Sequence, residues 1–144
     1  MRRAATAGLA LLILTGCGAP ETPRHAATGG SCQVARVIDG DTVDMACADI
    51  GTFRARLVGY DTPEITSPGC AQELALGRLA RQRLTQIVRE ADRVDAQMGE
   101  FDRYNRRLVR LAFDGEDVAQ TLVSEGLAVG YSGGRRINWC ARLG

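Results

Sequence analysis

The sequence predicts an α+β fold that is mainly β, a small five-stranded barrel with helices appended. Three observations predict it. Two β-rich runs flank an Asp39-Gly40 pair, residues 71–90 carry a helical period, and strand-like runs resume between Val94 and Phe113 ahead of a second, shorter helix.

The first run is Cys32 to Ile38 and the second Asp41 to Cys47. An Asp-Gly pair between such runs predicts a two-residue hairpin, because both central residues of a type I′ turn take positive φ. Thr52 to Tyr60 reads as a third strand, with Phe53, Ala55 and Leu57 on a buried face and Arg54 and Arg56 on the other. After a loop from Pro63 to Gly69 the period changes. Leu76, Leu79, Ala80, Leu84, Ile87 and Val88 recur at three- and four-residue steps opposite Arg78, Arg81, Gln82, Gln86 and Arg89, which predicts an amphipathic helix over 71–90. A strand near Val94 to Met98, a turn at Gly99-Glu100 and a strand from Arg107 to Phe113 follow. A tight Asp114-Gly115 turn opens a short helix with Val118, Leu122 and Val123 facing inward and Gly126 as its cap. Three strands, a helix, two strands and a helix match a small closed barrel of the OB type. The tail from Tyr131 to Gly144 is rich in glycine and arginine, and Trp139 and Cys140 are its expected anchors.

At 144 residues and 45% apolar composition, the chain has room for one core and one domain. Residues 1–16 are set apart from it. Arg2 and Arg3 precede an apolar run from Ala7 to Leu14, too short for a membrane-spanning helix, which reads as a signal peptide. The run ends in Leu14-Thr15-Gly16-Cys17, which resembles the cleavage box of bacterial lipoproteins. That resemblance implies lipidation of Cys17 and an exported protein, anchored to the cell envelope on its periplasmic or outer surface. Residues 17–31 are rich in helix breakers and read as a flexible tether, leaving 32–144 as the folded domain. The single histidine, His25, lies in the tether, so histidine acid–base catalysis and histidine metal sites are excluded from the domain.

Four cysteines remain in the domain, at 32, 47, 70 and 140. An even number in an exported protein, with no closely spaced pair of the zinc type, argues for two disulfides. Of three possible pairings, Cys32–Cys47 with Cys70–Cys140 is favoured. Cys32 and Cys47 are equidistant from Asp39-Gly40, and the second bridge staples the tail to the body.

The basic residues are 18 arginines and no lysine, against 17 acidic residues. Without Arg2 and Arg3 the balance is about neutral. Proteins that depend on nonspecific nucleic-acid affinity are usually basic, because phosphate neutralisation supplies most of that binding. Nucleic-acid chemistry in this chain must therefore rest on a local arginine cluster.

Three clusters could carry chemistry. Asp39-Gly40-Asp41-Thr42 alone is a turn former. Gly59-Tyr60-Asp61-Thr62-Pro63-Glu64 follows Arg56 and brings further carboxylates, and two carboxylates from separate strands with a backbone carbonyl suit a hard cation such as calcium. Asp102-Arg103-Tyr104-Asn105-Arg106-Arg107-Leu108 is a basic segment entering the last long strand, in which Arg107 reads as a solvated charge.

Together, Val37 to Val43, Phe53 to Glu64, Asp102 to Leu108, and Asp114-Gly115 through Ala128 resemble the staphylococcal nuclease family over nearly all of residues 32–131. The resemblance implies a calcium-dependent phosphodiesterase that cuts DNA or RNA and leaves 3′-phosphate ends. Asp41 and Asp61 would bind calcium through carboxylates and Thr62 through its carbonyl, with Asp39 and Glu64 acting through coordinated water. Glu64 would be the general base and Arg56 and Arg106 the clamp on the scissile phosphate. Arg103 and Tyr104 would contact a neighbouring phosphate, and Tyr131 a base. A guanidinium suits the clamp, since it binds phosphate bidentately and does not lose its proton. Asn105 and Arg107 stand where the familiar nuclease has glycines, and the loop after Glu64 is shorter, which bears on substrate preference more than on reaction type. A monomer is expected. The rival expectation is a noncatalytic OB-fold lipoprotein that binds nucleic acid or another polyanion; the joint presence of Glu64, Arg56 and Arg106 favours the enzyme.

Overall fold

The computed structural model describes residues 32–144. The expected signal peptide (1–16), the tether (17–31), Cys17 and His25 lie outside the described residues. In order, the elements are β1 (Cys32–Val37), β2 (Thr42–Cys47), β3 (Gly51–Leu57), β4 (Gly59–Asp61), α1 (Ala71–Glu90), β5 (Val94–Phe101), β6 (Arg107–Phe113), β7 (Glu116–Asp117), α2 (Val118–Ser124), β8 (Val129–Tyr131) and α3 (Trp139–Leu143).

Five strands form the main sheet in the order β1-β2-β3-β6-β5, with β7 paired to β6, while β4 and β8 make a separate two-stranded sheet. All main pairings are antiparallel except β3 with β6. The end strands β1 and β5 approach each other, so the sheet curls as an OB-type barrel does, across a seam that carries no ladder. Inside the curl lie Val43, Met45, Ala55, Leu57, Val109 and Leu111, covered by Leu84 of α1 and Val118 and Leu122 of α2.

The five predicted long strands, the helix over 71–90 and the Gly126 cap are all present. The third strand, expected as one piece over Thr52 to Tyr60, divides at Val58 into β3 and β4. This division sends Tyr60 and Asp61 to the second sheet, where Asp61 faces Val129. On α1 the buried residues are Glu73, Gly77, Ala80 and Leu84. Leu79, expected inward, is one residue off that stripe and 53% exposed. Val123 is likewise exposed, because α2 buries Val118, Ala119 and Leu122 instead.

Two turns differ from expectation. Asp39-Gly40 is not a two-residue hairpin. The connection runs over residues 38–41, closed by the Ile38 and Asp39 amides on the Thr42 carbonyl, and a bulge between Val34 and Arg36 absorbs the register change. Gly40 is required by close packing, since a Cβ there would lie 2.8 Å from Thr62 Cγ2 and 2.9 Å from Ala80 Cβ. The pair that takes positive φ at both positions is Asp114-Gly115, between β6 and β7, as a tight hairpin of this kind demands. The turn expected at Gly99-Glu100 falls instead at Asp102–Arg106. Here β5 continues to Phe101 across an irregular register, and Gly99 lets the Leu108 carbonyl come close.

Both disulfides form as ranked. Cys32 faces Cys47 in the β1–β2 register, and Cys70–Cys140 ties the start of α1 to α3.

Candidate active site

β3 lies between β2 and β6, so Arg56, its next-to-last residue, faces Thr42 on one side and Leu108 on the other. That position brings the 38–41 turn and the 102–106 turn to the same end of the barrel. β4 then delivers Asp61, and the loop into α1 delivers Thr62 and Glu64. These elements wall one open cleft of about 940 Å³, lined by Asp39, Asp41, Arg56, Thr62, Glu64, Arg103, Tyr104, Arg106 and Tyr131 among others. Nine of the ten predicted catalytic, metal and substrate residues therefore meet in it. The tenth, Asp61, does not line the cleft and is fully buried.

Asp61 and Asp41 are joined by Arg56, whose guanidinium pairs with Asp41 Oδ2 through Nη1 and donates to Asp61 Oδ1 from Nη2 at 3.1 Å. Asp41 Oδ2 also accepts from the Thr62 amide at 3.1 Å, and Asp41 Oδ1 from the Thr42 hydroxyl at 3.2 Å. Asp39 Oδ1 accepts from the Asp41 amide at 3.1 Å. The Tyr60 hydroxyl donates to the Gly40 carbonyl at 2.8 Å, and burial pushes that phenol well above its ordinary range, so it stays a donor.

Charge is crowded here. Burial pushes the Asp39 carboxyl up, the Thr42 side chain opposes this, and the nearby Glu64 carboxylate adds to it. Burial lowers Arg56, against the pull of Asp61, and the Arg136 and Arg106 cations press in the same direction. The oxygen ligands at this end of the cleft are the carboxylates of Asp39 and Asp41 and the carbonyl of Thr62, with the carboxylate of Asp61 buried behind them, all hard oxygens of the type calcium or magnesium prefers. Thr62 Oγ1 is buried beside them with no hydrogen-bond partner. A set with surplus negative charge and an orphaned oxygen fits a hard divalent cation.

Glu64 stands on the rim. Its Oε1 accepts from the Ile65 and Thr66 amides, each at 2.9 Å, and Oε2 has no protein donor among the described residues. Beneath the loop, buried Glu73 of α1 accepts from the Glu64 amide at 3.3 Å and the Gly69 amide at 2.7 Å.

On the opposite wall, Asp102 organises the turn that carries Arg106. Its Oδ1 accepts from the Tyr104 and Arg106 amides, both at 2.9 Å, and Oδ2 pairs with the Arg106 guanidinium at 2.7 Å. Burial raises this carboxyl, but the two amides and the guanidinium outweigh it and hold it below the usual range. The guanidinium carbons of Arg103 and Arg106 lie 4.9 and 5.4 Å from the centre of the exposed Tyr104 ring. Tyr131 ends β8 opposite Gly59 and donates its hydroxyl to the Gly134 carbonyl at 2.6 Å. Arg107, read as a solvated charge, instead has a buried Nε and lies over Phe101.

Sequence reasoning missed Arg136, which lines the cleft and sits on Asp61 and Thr62. It also missed the roles of Asp102, of Glu73 and of Arg110, a cleft residue paired with Asp117. Only the Asp102-to-Arg106 spacing, as an ion pair across a turn, could have signalled one of them.

Comparison with known proteins identifies relatives over most of these elements. The family described as "Staphylococcal nuclease homologue" matches residues 54–138. The chain is similar to the "Micrococcal nuclease" of Shigella flexneri, 33% identical over 108 residues, which cover 69% of this chain and 57% of that protein. It is also similar to two proteins of Bacillus subtilis (strain 168). "Endonuclease YhcR" is 32% identical over 68% of this chain and 9% of that protein, and "SPbeta prophage-derived endonuclease YokF" is 35% identical over 65% and 31% respectively. The chain thus spans between about a tenth and just over half of the length of these relatives. With the family pattern running over more than half of its residues, on the elements that wall the cleft, the chain belongs to the staphylococcal nuclease family.

Proposed function

We propose that this protein is a calcium-dependent phosphodiesterase that hydrolyses DNA or RNA and leaves 3′-phosphate ends. The observation that carries the reading is convergence: the carboxylates of Asp39, Asp41 and Glu64 and the guanidiniums of Arg56 and Arg106 face one cleft. A phosphodiester is anionic, and attack on phosphorus builds further charge on its oxygens. Fixed cations that bind the transition state more tightly than the substrate therefore accelerate the reaction.

Asp41, Asp61 and the Thr62 carbonyl would hold calcium, with Asp39 acting through water. Bound there, the ion would offset the carboxylate charge and polarise a phosphoryl oxygen. Glu64, through its undonated Oε2, takes the proton from the water that attacks phosphorus. The bond to the 5′ oxygen breaks, that oxygen leaves as an alcohol with a proton drawn from solvent, and the phosphate stays on the 3′ oxygen. Arg106, steadied by Asp102, holds one non-bridging oxygen. Arg56 is bonded to Asp41 and Asp61 and reaches the phosphate from the base of the cleft. Arg103 and Tyr104 bind a neighbouring phosphate and Tyr131 stacks on a base.

The same proposal places a lipid on Cys17 and the domain, as a monomer, on the periplasmic or outer face of a bacterial envelope. Purified protein is expected to degrade heat-denatured DNA in millimolar calcium and to stop with chelator, and mass analysis of the products is expected to show 3′-phosphates. Full activity in Glu64→Gln or Arg106→Ala would end the mechanism, and calcium-independent binding without cleavage would support a noncatalytic polyanion binder instead.

A further inference from the structure

The tail residue Arg136 takes no part in the scheme above, yet it contacts two groups on which that scheme depends. Its Nε meets Asp61 Oδ1 at 2.6 Å and its Nη2 donates to the Thr62 carbonyl at 3.0 Å. These are two of the three protein ligands assigned to the cation. Asp61 is fully buried, whereas the Arg136 side chain is 44% exposed, so the guanidinium reaches in from the cleft side. It is held there by its surroundings. Three residues later Trp139 is buried and donates to Asp61 Oδ2 at 3.1 Å, and the next residue, Cys140, is disulfide-bonded to Cys70.

From this geometry we propose that Arg136 is a resident counter-ion of the acidic site, displaced when a divalent cation binds to Asp61 and Thr62. The inference rests on the calcium reading given above. A guanidinium and a hard cation cannot share the same carboxylate oxygen and carbonyl without mutual repulsion. The free energy of breaking the Arg136 contacts is therefore subtracted from that of binding the ion. Arg56, which shares Asp61 Oδ1 with Arg136, gives up that oxygen as well and turns to the phosphate, while Trp139 on Oδ2 keeps the carboxylate positioned. The freed guanidinium lies in the cleft that also holds Arg103 and Arg106, where an anionic substrate is the natural new partner. Cation and substrate binding are thereby coupled in the favourable sense, each assisting the other.

The test is calorimetric titration of the purified protein, disulfides intact, with calcium chloride and no nucleic acid. Arg136→Gln is expected to bind calcium roughly threefold to tenfold more tightly than wild type, the scale of a partly exposed charge-assisted pair. Arg136→Lys is expected to fall between the two. Arg135→Gln, the exposed neighbour, controls for general charge and is expected to change affinity by less than twofold. The single tryptophan, Trp139, gives a second readout in wild type. Its emission is expected to change with calcium at the calorimetric midpoint as the tail releases its arginine. Unchanged or weaker affinity in Arg136→Gln, an equal gain in Arg135→Gln, or a calcium-silent Trp139 in a protein that binds calcium would each overturn the inference and leave the calcium reading standing. Failure of both wild type and Arg136→Gln to bind calcium would overturn both.

Discussion

The indole Nε1 of Trp139 donates to Asp61 Oδ2 at 3.1 Å, joining the last helix of the chain to a carboxylate buried beneath the cleft. Asp61 Oδ1 is served by two arginines, but no other protein donor reaches Oδ2 among the described residues. Trp139→Phe keeps most of the apolar packing and leaves that oxygen without a partner. A buried acceptor on a charged group that loses its donor costs about 1–3 kcal/mol. Urea denaturation followed by circular dichroism should show a loss of that size, and an unchanged midpoint would mean that the bond contributes nothing.

Asp102 should matter to activity through Arg106. Its two oxygens fix both the turn and the guanidinium, so Asp102→Ala frees Arg106 to sample unproductive positions. We expect kcat/KM on denatured DNA to fall about tenfold, less than for Arg106→Ala, where one lost charged donor costs roughly a hundredfold or more. In the double variant the effects should not add, because both act through one side chain.

The same carboxylate sets a pH dependence with a definite sign. The folded protein holds the Asp102 carboxyl below its ordinary range. Its contribution is therefore complete above the unfolded pKa and is lost as pH falls through the folded value. The stability difference between wild type and Asp102→Asn should be constant near neutrality and shrink below about pH 4, where an ordinary aspartate takes up its proton. A difference that grew on acidification would contradict the sign.

Two identical dipeptides show how far such features can be read from sequence. Asp39-Gly40 and Asp114-Gly115 both follow a β-rich run, yet only the second adopts the left-handed pair of residues that the dipeptide favours. Contact with Thr62 and Ala80 decides the first, and local sequence does not contain that contact. The long strands and α1 were legible because alternation and helical period reflect which face is buried. Leu79 was misread because a helix in which Glu73 and Gly77 face inward presents a stripe that apolar residues alone do not mark. In the cleft, Asp41, Arg56, Glu64 and Arg106 were legible as members of ordered motifs. Arg136 was not, because in sequence it is one of two arginines after two glycines, and only the folded tail brings it to Asp61.

The two disulfides should differ in what they contribute. Cys32–Cys47 closes a separation of 15 residues and Cys70–Cys140 one of 70. On the chain-entropy account the longer loop restrains the unfolded state by about 1 kcal/mol more. Cys70→Ser with Cys140→Ser should therefore lose more stability than Cys32→Ser with Cys47→Ser, and should also free the tail that carries Arg136 and Trp139. The check is the pair of urea midpoints, with Trp139 emission shifting to the red only in the first variant.

Gly77 offers a test in which two known effects oppose each other. In the middle of α1, glycine should be worse than alanine by about 1 kcal/mol, so Gly77→Ala would stabilise the protein if propensity alone mattered. A Cβ at this position would stand 2.6 Å from Ile65 Cγ2 and 2.7 Å from the Pro63 carbonyl oxygen. Ile65 can rotate, but the Pro63 carbonyl is backbone in the loop that carries Thr62 and Glu64, and forcing extra volume against packed backbone costs roughly 1–3 kcal/mol. Packing should win, giving a net loss in urea denaturation together with lower kcat, since the shift is passed directly to Glu64. Ala75→Gly, on the exposed face of the same helix, calibrates propensity and should cost about 1 kcal/mol with activity intact. A Gly77→Ala variant that gained stability would show that α1 and the Glu64 loop are not packed as closely as these distances require.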